Sequence, residues 1–167
     1  MTKYIENKTF DEINIGDSAS IQHSLSKRDI MLFAIMSGDV NPAHLDEEYA
    51  KSDFFHKIVA HGMWGASLIS TALGTRLPGP GTIYISQSLK FLRPVTLGDK
   101  ITAQVTVTEK MPEKHHILLE CVCFNQKQIE VIRGVAEVMA PTEKVRRLRV
   151  QLPSVDKILG EALSLGK

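Results

Sequence analysis

The segment VAHGMWGASLISTALGTRL, residues 59–77, is apolar or small at nearly every position. Such a pattern is typical of a helix that is buried rather than one that lies on a protein surface. Glycine inside a helix costs about 1 kcal/mol relative to alanine, and a close backbone approach can offset that cost. We therefore predict a buried central helix with other elements wrapped closely around it. Its small residues are Gly62, Gly65, Ala66, Ser67, Ser70 and Ala72.

The chain after this helix has the alternation of β-strands. Apolar residues recur at period two in residues 83–91, and in 100–110 they alternate with threonine and glutamine. Residues 115–125 and 128–140 are further strand candidates between turn-prone segments, and another strand is expected near residues 18–25. The pattern predicts an α+β fold in which an antiparallel sheet wraps around the long helix. Proteins usually pair such exposed sheet edges, so we expect a homodimer.

Composition limits the classes of function. The chain has 167 residues, with 20 basic and 19 acidic side chains, so one domain is expected and nothing in the overall balance suggests binding to nucleic acid. The amino end lacks the apolar core of a secretory signal, and no run is long enough for a membrane span of about 20 residues. We therefore expect a soluble, cytoplasmic protein. Cys121 and Cys123 would face the same way along one strand and are predicted to be free, partly buried thiols.

The segment SGDVNPAHLD, residues 37–46, contains a candidate catalytic pair, Asp39 and His44. It follows a predicted helix that begins with Ser26 in capping-box spacing and ends near Gly38. A spacing of five brings two side chains together on neither a helix nor a strand, but a turn between helices allows it. The pair could then deprotonate a water and deliver a proton elsewhere. Alternatively, Asp39 caps the turn and His44 packs beside it.

A second candidate feature is VAHGM, residues 59–63, at the start of the predicted central helix. Amide N–H groups in a first helical turn have no partner within the helix and lie at the positive end of its dipole. Gly62 would let a ligand carbonyl approach them without interference from a Cβ atom. These properties suit an oxyanion site, although a glycine needed only for packing against the sheet would look the same.

Together, SGDVNPAHLDEEYA, IVAHGMWGASLIS and LPGPGTIYISQSLKFLRPVTLGD, in this order and at these intervals, strongly resemble the MaoC-like, (R)-specific enoyl-CoA hydratases of the hotdog fold. The resemblance covers about residues 10 to 140. It implies a dimeric hydro-lyase that reversibly hydrates a trans-2-enoyl-CoA to an (R)-3-hydroxyacyl-CoA, without a metal or redox cofactor. By position, Asp39 and His44 would hold and activate the water, with Asn41 supporting them, and the Gly62 N–H would polarise the thioester carbonyl.

The resemblance also places other residues. Ser70 and Leu73 fall where similar hydratases line the acyl pocket, although helix packing would explain both equally well. Lys90 and Arg93 are candidates to face the anionic CoA, or are plain surface cations. His61 is expected to be structural and to position the start of the helix.

The segment after Pro141 departs from the compact single-domain hydratases. We predict a hydratase domain at residues 1–141, and a basic linker with a short C-terminal helix at residues 142–167. This tail is either a packing arm on the same domain or a connection to a fused or partner domain.

Two rival functions remain open at this stage, namely an acyl-CoA thioesterase and a non-catalytic acyl-CoA binding or assembly module. The same chemistry in reverse, on an acyl carrier protein, is the dehydration step of fatty-acid synthesis.

Overall fold

The computed structural model describes residues 3–153 of the chain. The α-helices are α1 (Lys27–Ser37), α2 (Pro42–Leu45), α3 (Glu47–Ser52) and α4 (Gly62–Thr75). The strands are β1 (Tyr4–Glu6), β2 (Ser18–Ser24), β3 (Ile83–Phe91), β4 (Lys100–Met111), β5 (His116–Phe124), β6 (Glu130–Met139) and β7 (Arg146–Leu148). Single 3-10 turns lie at Phe10–Glu12 and Pro112–Lys114.

The main sheet has five strands in the order β2-β4-β5-β6-β3, and every neighbouring pair is antiparallel. Helix α4 packs against this sheet, and Gly65 faces Ile132 at the contact. A Cβ atom at Gly65 would lie 2.5 Å from Cδ1 of Ile132 on β6. The predicted α+β arrangement, with a long helix on an antiparallel sheet, is confirmed.

Helix α4 is buried on one side only, which differs from the expectation of a fully wrapped helix. Its buried residues are Trp64, Gly65, Leu68, Ile69, Ala72 and Leu73. Met63, Ser67, Ser70 and Thr71 are exposed, because the sheet of one chain covers a single face of the helix. The small residues on the open face are therefore not explained by packing within one chain.

Strand β3 lies at an edge of the sheet and exposes apolar side chains. Ile83, Ile85 and Phe91 are 54%, 45% and 53% exposed, respectively. The period-two pattern predicted the strand correctly, but one chain does not bury the apolar side of the strand at these residues. They form an apolar surface beside an edge with no neighbouring strand in the described chain.

The two cysteines are free, as predicted, but they are fully rather than partly buried. Together with Ile117 and Leu119 they occupy every second position of β5, and all four side chains lie in the core. Burial raises the pKa of the Cys121 thiol to about 11 and that of the Cys123 thiol to about 12.

The segment after Pro141 was predicted to be a linker, but it contains a short β-strand. Strand β7 pairs antiparallel with β1, so residues 146–148 pack beside the amino end. Asn7, which is 2% exposed, donates to the carbonyl oxygen of Glu143 and accepts from the amide of Val145. The predicted C-terminal helix lies outside the described residues.

No helix within residues 3–153 combines the length and the apolar character needed to cross a membrane.

Candidate active site

The turn between α1 and α2 brings the predicted pair together. Helix α1 ends at Gly38, which adopts φ 75°, a conformation that glycine reaches without strain. The chain then turns at Asp39, whose Oδ1 accepts a hydrogen bond of 3.2 Å from the amide of Asn41. The Asn41 side chain caps α2 by accepting from the amide of Ala43, and His44 follows on that short helix. Asn41 thus makes local contacts on both sides of the turn.

The imidazole of His44 is held in a defined orientation. Its Nδ1 lies 2.8 Å from the carbonyl oxygen of Val59, so Nδ1 carries the proton that is donated. In the neutral ring, Nε2 then has a free lone pair and can accept a proton. Val59 is itself fixed by a β-bridge to Thr96, next to the Ala60 amide that donates to Val95. The segment before α4 therefore acts as the support for this ring.

Asp39, His44 and His61 form one cluster. A carboxylate oxygen of Asp39 and a ring nitrogen from each histidine all lie within 4.8 Å of one another. A water molecule that makes two hydrogen bonds of about 2.8 Å can bridge acceptors at this separation. The arrangement therefore suits a water held between Asp39 and His44. The same three side chains are the group within residues 3–153 that could hold a metal ion.

A cavity of about 370 Å³ opens beside this cluster. His44, His61 and Gly62 line it, so it joins the histidines to the start of α4. The rest of its wall is mainly apolar: Phe54, Phe55, Val59, Ala60, Gly65, Phe91, Leu92, Arg93, Pro94, Val95 and Ile132. A Cβ atom at Gly62 would lie 3.1 Å from the Phe91 ring, which leaves little room above this residue. Such an apolar cavity with a few polar groups is typical of a small-molecule site.

Most of the other predicted site residues, Asp39 and Asn41 included, are not on the cavity wall. Leu73 is 1% exposed in the core, and Ser70 is on the open face of α4; neither lines the cavity. Arg93 does line it, whereas Lys90 does not.

Sequence reasoning missed the aromatic pair Phe54 and Phe55, which lie between α3 and α4 and line the cavity. Phe54 is 84% exposed, and the adjacent aromatic letters in a polar segment were the available signal.

His61 was predicted to be structural at the start of the helix, and its side-chain contacts are made outside α4. It precedes α4, but its side chain makes no capping hydrogen bond to the helix. Instead, its Nε2 lies 3.0 Å from the carbonyl oxygen of Asp39, and its ring centroid lies 3.9 Å from that of His44.

The chain is similar to known proteins over most of its length. The family described as "MaoC like domain" matches residues 12–121. An (R)-specific enoyl-CoA hydratase of Rhodospirillum rubrum is 50% identical over 132 residues, which cover 79% of this chain and 91% of that protein. A 3-hydroxybutyryl-CoA dehydratase of Methylorubrum extorquens is 40% identical, with 81% and 85% covered.

Among solved structures, the unliganded R-hydratase PhaJ1 from Pseudomonas aeruginosa superposes with a TM-score of 0.86 at 43% identity. The match covers 91% of this chain and 97% of that one, so it extends past Pro141. The chain therefore belongs to the MaoC-like dehydratase family and has the hotdog fold that its motifs predicted.

Proposed function

We propose that this protein is an (R)-specific enoyl-CoA hydratase, a hydro-lyase that reversibly adds water to a trans-2-enoyl-CoA to form an (R)-3-hydroxyacyl-CoA. The observation that carries the proposal is the placement of Asp39 and His44 within reach of one water, with His44 and Gly62 on the wall of the same apolar cavity. The 50% identity to a protein named for this activity supports the same reaction.

In the proposed chemistry, His44 and Asp39 bind a water molecule and accept a proton from it. His44 Nε2 accepts a hydrogen bond from the water, because Nδ1 donates to the carbonyl oxygen of Val59. As the water oxygen forms a bond to C3 of the enoyl group, one proton of the water passes to the Asp39–His44 pair and the C2–C3 π electrons shift towards the thioester carbonyl. The pair then returns a proton to C2, so that one water is added across the double bond. General acid–base assistance of this kind contributes about 10²- to 10⁴-fold to a rate.

The start of α4 supplies the electrostatic part of the proposed mechanism. Addition at C3 pushes electron density onto the thioester carbonyl, which becomes an enolate oxygen. The amide N–H of Gly62 is in the first turn of α4, where amides have no partner within the helix. A donor directed at this oxygen stabilises the transition state more than the ground state.

The test is hydration of crotonyl-CoA by the purified protein, with Asp39→Asn and His44→Ala as variants. Loss of enoyl-thioester absorbance and appearance of free thiol are followed in parallel. We expect absorbance loss without thiol release, with kcat lowered by at least about 10²-fold in both variants. Thiol release would instead identify a thioesterase. Binding without turnover across short and long enoyl chains would leave an acyl-CoA binding module.

We also propose that two copies pair through β3 and the open face of α4. The exposed apolar residues of β3 and the exposed side of α4 are surfaces that a second copy would cover. In that assembly Ser70 would be shielded from solvent, so its predicted contact with the acyl chain is best tested in the assembled protein. Arg93 on the cavity wall is the proposed contact for the anionic part of CoA.

A further inference from the structure

His61 is a buried histidine to which the proposed reaction assigns no role. His61 is 2% exposed, although it lies at the start of α4 and lines the cavity. Its Nδ1 is buried and has no hydrogen-bond partner among residues 3–153. A buried polar group without a partner costs free energy, so a histidine at this position needs a compensating reason.

The first contact that gives such a reason is made with the main chain of Asp39. The carbonyl oxygen of Asp39 can only accept, so the His61 nitrogen at 3.0 Å, Nε2, is the donor. This hydrogen bond joins residues that are 22 positions apart and fixes the turn that carries the Asp39 carboxylate. The side-chain contacts of Asp39 and Asn41 on the same turn are local, whereas this one ties the turn to the start of α4.

The second contact is made with the ring of His44. The two imidazole centroids are 3.9 Å apart with an interplanar angle of 35°, and the Phe33 ring lies 5.0 Å from His61. Because His44 is also bonded through Nδ1 to Val59, the His61 ring restricts the motion that this one bond leaves open. One side chain thus contacts both members of the proposed catalytic pair.

We infer that His61 is a positioning residue that sets the separation of Asp39 and His44, by holding the Asp39 carbonyl and packing on the His44 ring. The inference rests on the proposed hydratase function for its kinetic consequence. A displacement of about 1 Å in a catalytic group can lower a rate by about 10²-fold, so a residue that touches no substrate can still control kcat.

Two substitutions separate the two contacts. His61→Phe keeps an aromatic ring beside His44 and Phe33 but removes the donor to Asp39. His61→Gln keeps an amide donor near the position of Nε2 but removes the ring. We expect His61→Phe to lower kcat about 10- to 100-fold with KM within about twofold of wild type, and His61→Gln to recover a substantial part of kcat.

The control is Ile69→Val, a volume loss at a fully buried position of the same helix that lies away from the cavity. It should lower the melting temperature and leave kcat unchanged. Wild-type kcat in His61→Phe, or an equal loss of kcat in Ile69→Val at matched stability, would overturn the inference.

A spectroscopic measurement tests, independently of activity, whether His61 positions the His44 ring. We expect the ¹⁵N imidazole signals of His44 to shift in His61→Phe and to remain near their wild-type positions in Ile69→Val. Unchanged His44 signals in His61→Phe would overturn the positioning role. If the wild-type protein hydrates no enoyl-CoA but the His44 signals still shift in His61→Phe, the proposed function is refuted while the positioning contacts of His61 are supported.

Discussion

At the scale of single residues, the candidate site depends on which imidazole nitrogen carries a proton. His44 donates from Nδ1 and His61 donates from Nε2, in both cases to a main-chain carbonyl. The motif around Asp39 predicted the first histidine as a site residue because a turn was the way to converge the pair. It did not predict the role of His61, because a contact between residues 22 positions apart leaves no local pattern.

The substitution Gly62→Ala tests the start of α4. The added Cβ would lie 3.1–3.4 Å from three atoms of the Phe91 ring, so the ring must move by a few tenths of an ångström. The methyl group would also intrude on the cavity beside the proposed carbonyl donor. We expect kcat for crotonyl-CoA hydration to fall about 10²-fold, a loss comparable to that of one oxyanion donor, with little change in melting temperature.

Its matched control is Gly74→Ala in the same helix, where an added Cβ has nothing within 4 Å. A Gly62→Ala enzyme with wild-type kcat would show that the reaction does not need the space that the missing Cβ leaves at Gly62.

At the scale of elements, local signals predicted the helices and strands, while their exposure could not be read from one chain. Ser26 and Asp29 form the predicted capping box at α1, and Gly38 ends that helix. Strand β3 has the predicted alternation, yet its isoleucines are exposed. Alternation shows that a face is apolar, but it does not show whether that face meets the chain's own core or another copy.

The substitution Gly134→Ala tests the contact between β6 and β3. A Cβ atom there would lie 1.9 Å from the carbonyl oxygen of Ser88, so the two strands would have to separate. We expect a loss of at least about 2 kcal/mol in the free energy of unfolding, because a crowded main chain cannot relax as a flexible side chain does. Gly74→Ala should instead raise it by about 0.5–1 kcal/mol. Urea unfolding of both variants is the measurement, and equal midpoints would contradict the argument.

At the scale of the whole molecule, one chain leaves two apolar or small-residue surfaces uncovered. Strand β3 ends the sheet with exposed apolar side chains, and α4 leaves one side uncovered. The segment after Pro141 is more ordered than the predicted linker, since β7 pairs with β1. The basic composition of residues 142–153 suggested a linker, because a three-residue strand is too short to show a period.

The substitution Ile85→Lys tests the proposed pairing of two copies. A charge on this exposed, apolar edge strand would be desolvated in a dimer and solvated in a single chain. We expect light scattering to give twice the chain mass for wild type and the mass of one chain for the variant. Gln104→Lys, on an exposed position of β4, should stay paired. A wild-type protein with the mass of one chain would contradict the proposal.

A deletion tests whether the segment after Pro141 is part of the domain. A chain ending at residue 141 loses β7, the two side-chain hydrogen bonds of Asn7 and the ion pair of Lys144 with Glu12. We expect a clearly lower melting temperature than that of a chain ending at residue 153, which keeps all of them. Equal melting temperatures would show that residues 142–153 contribute nothing to the stability of the fold.

Because Cys121 and Cys123 are buried, the native enzyme should not react with a thiol reagent. They are the two cysteines of the chain, and both have no exposed surface and raised pKa values. A disulfide reagent added to native protein should therefore detect released CoA without a background from the protein itself. Without substrate, a signal that grows with protein concentration would instead report the rate at which the core opens. One reagent can therefore measure both thioester hydrolysis and the rate of unfolding.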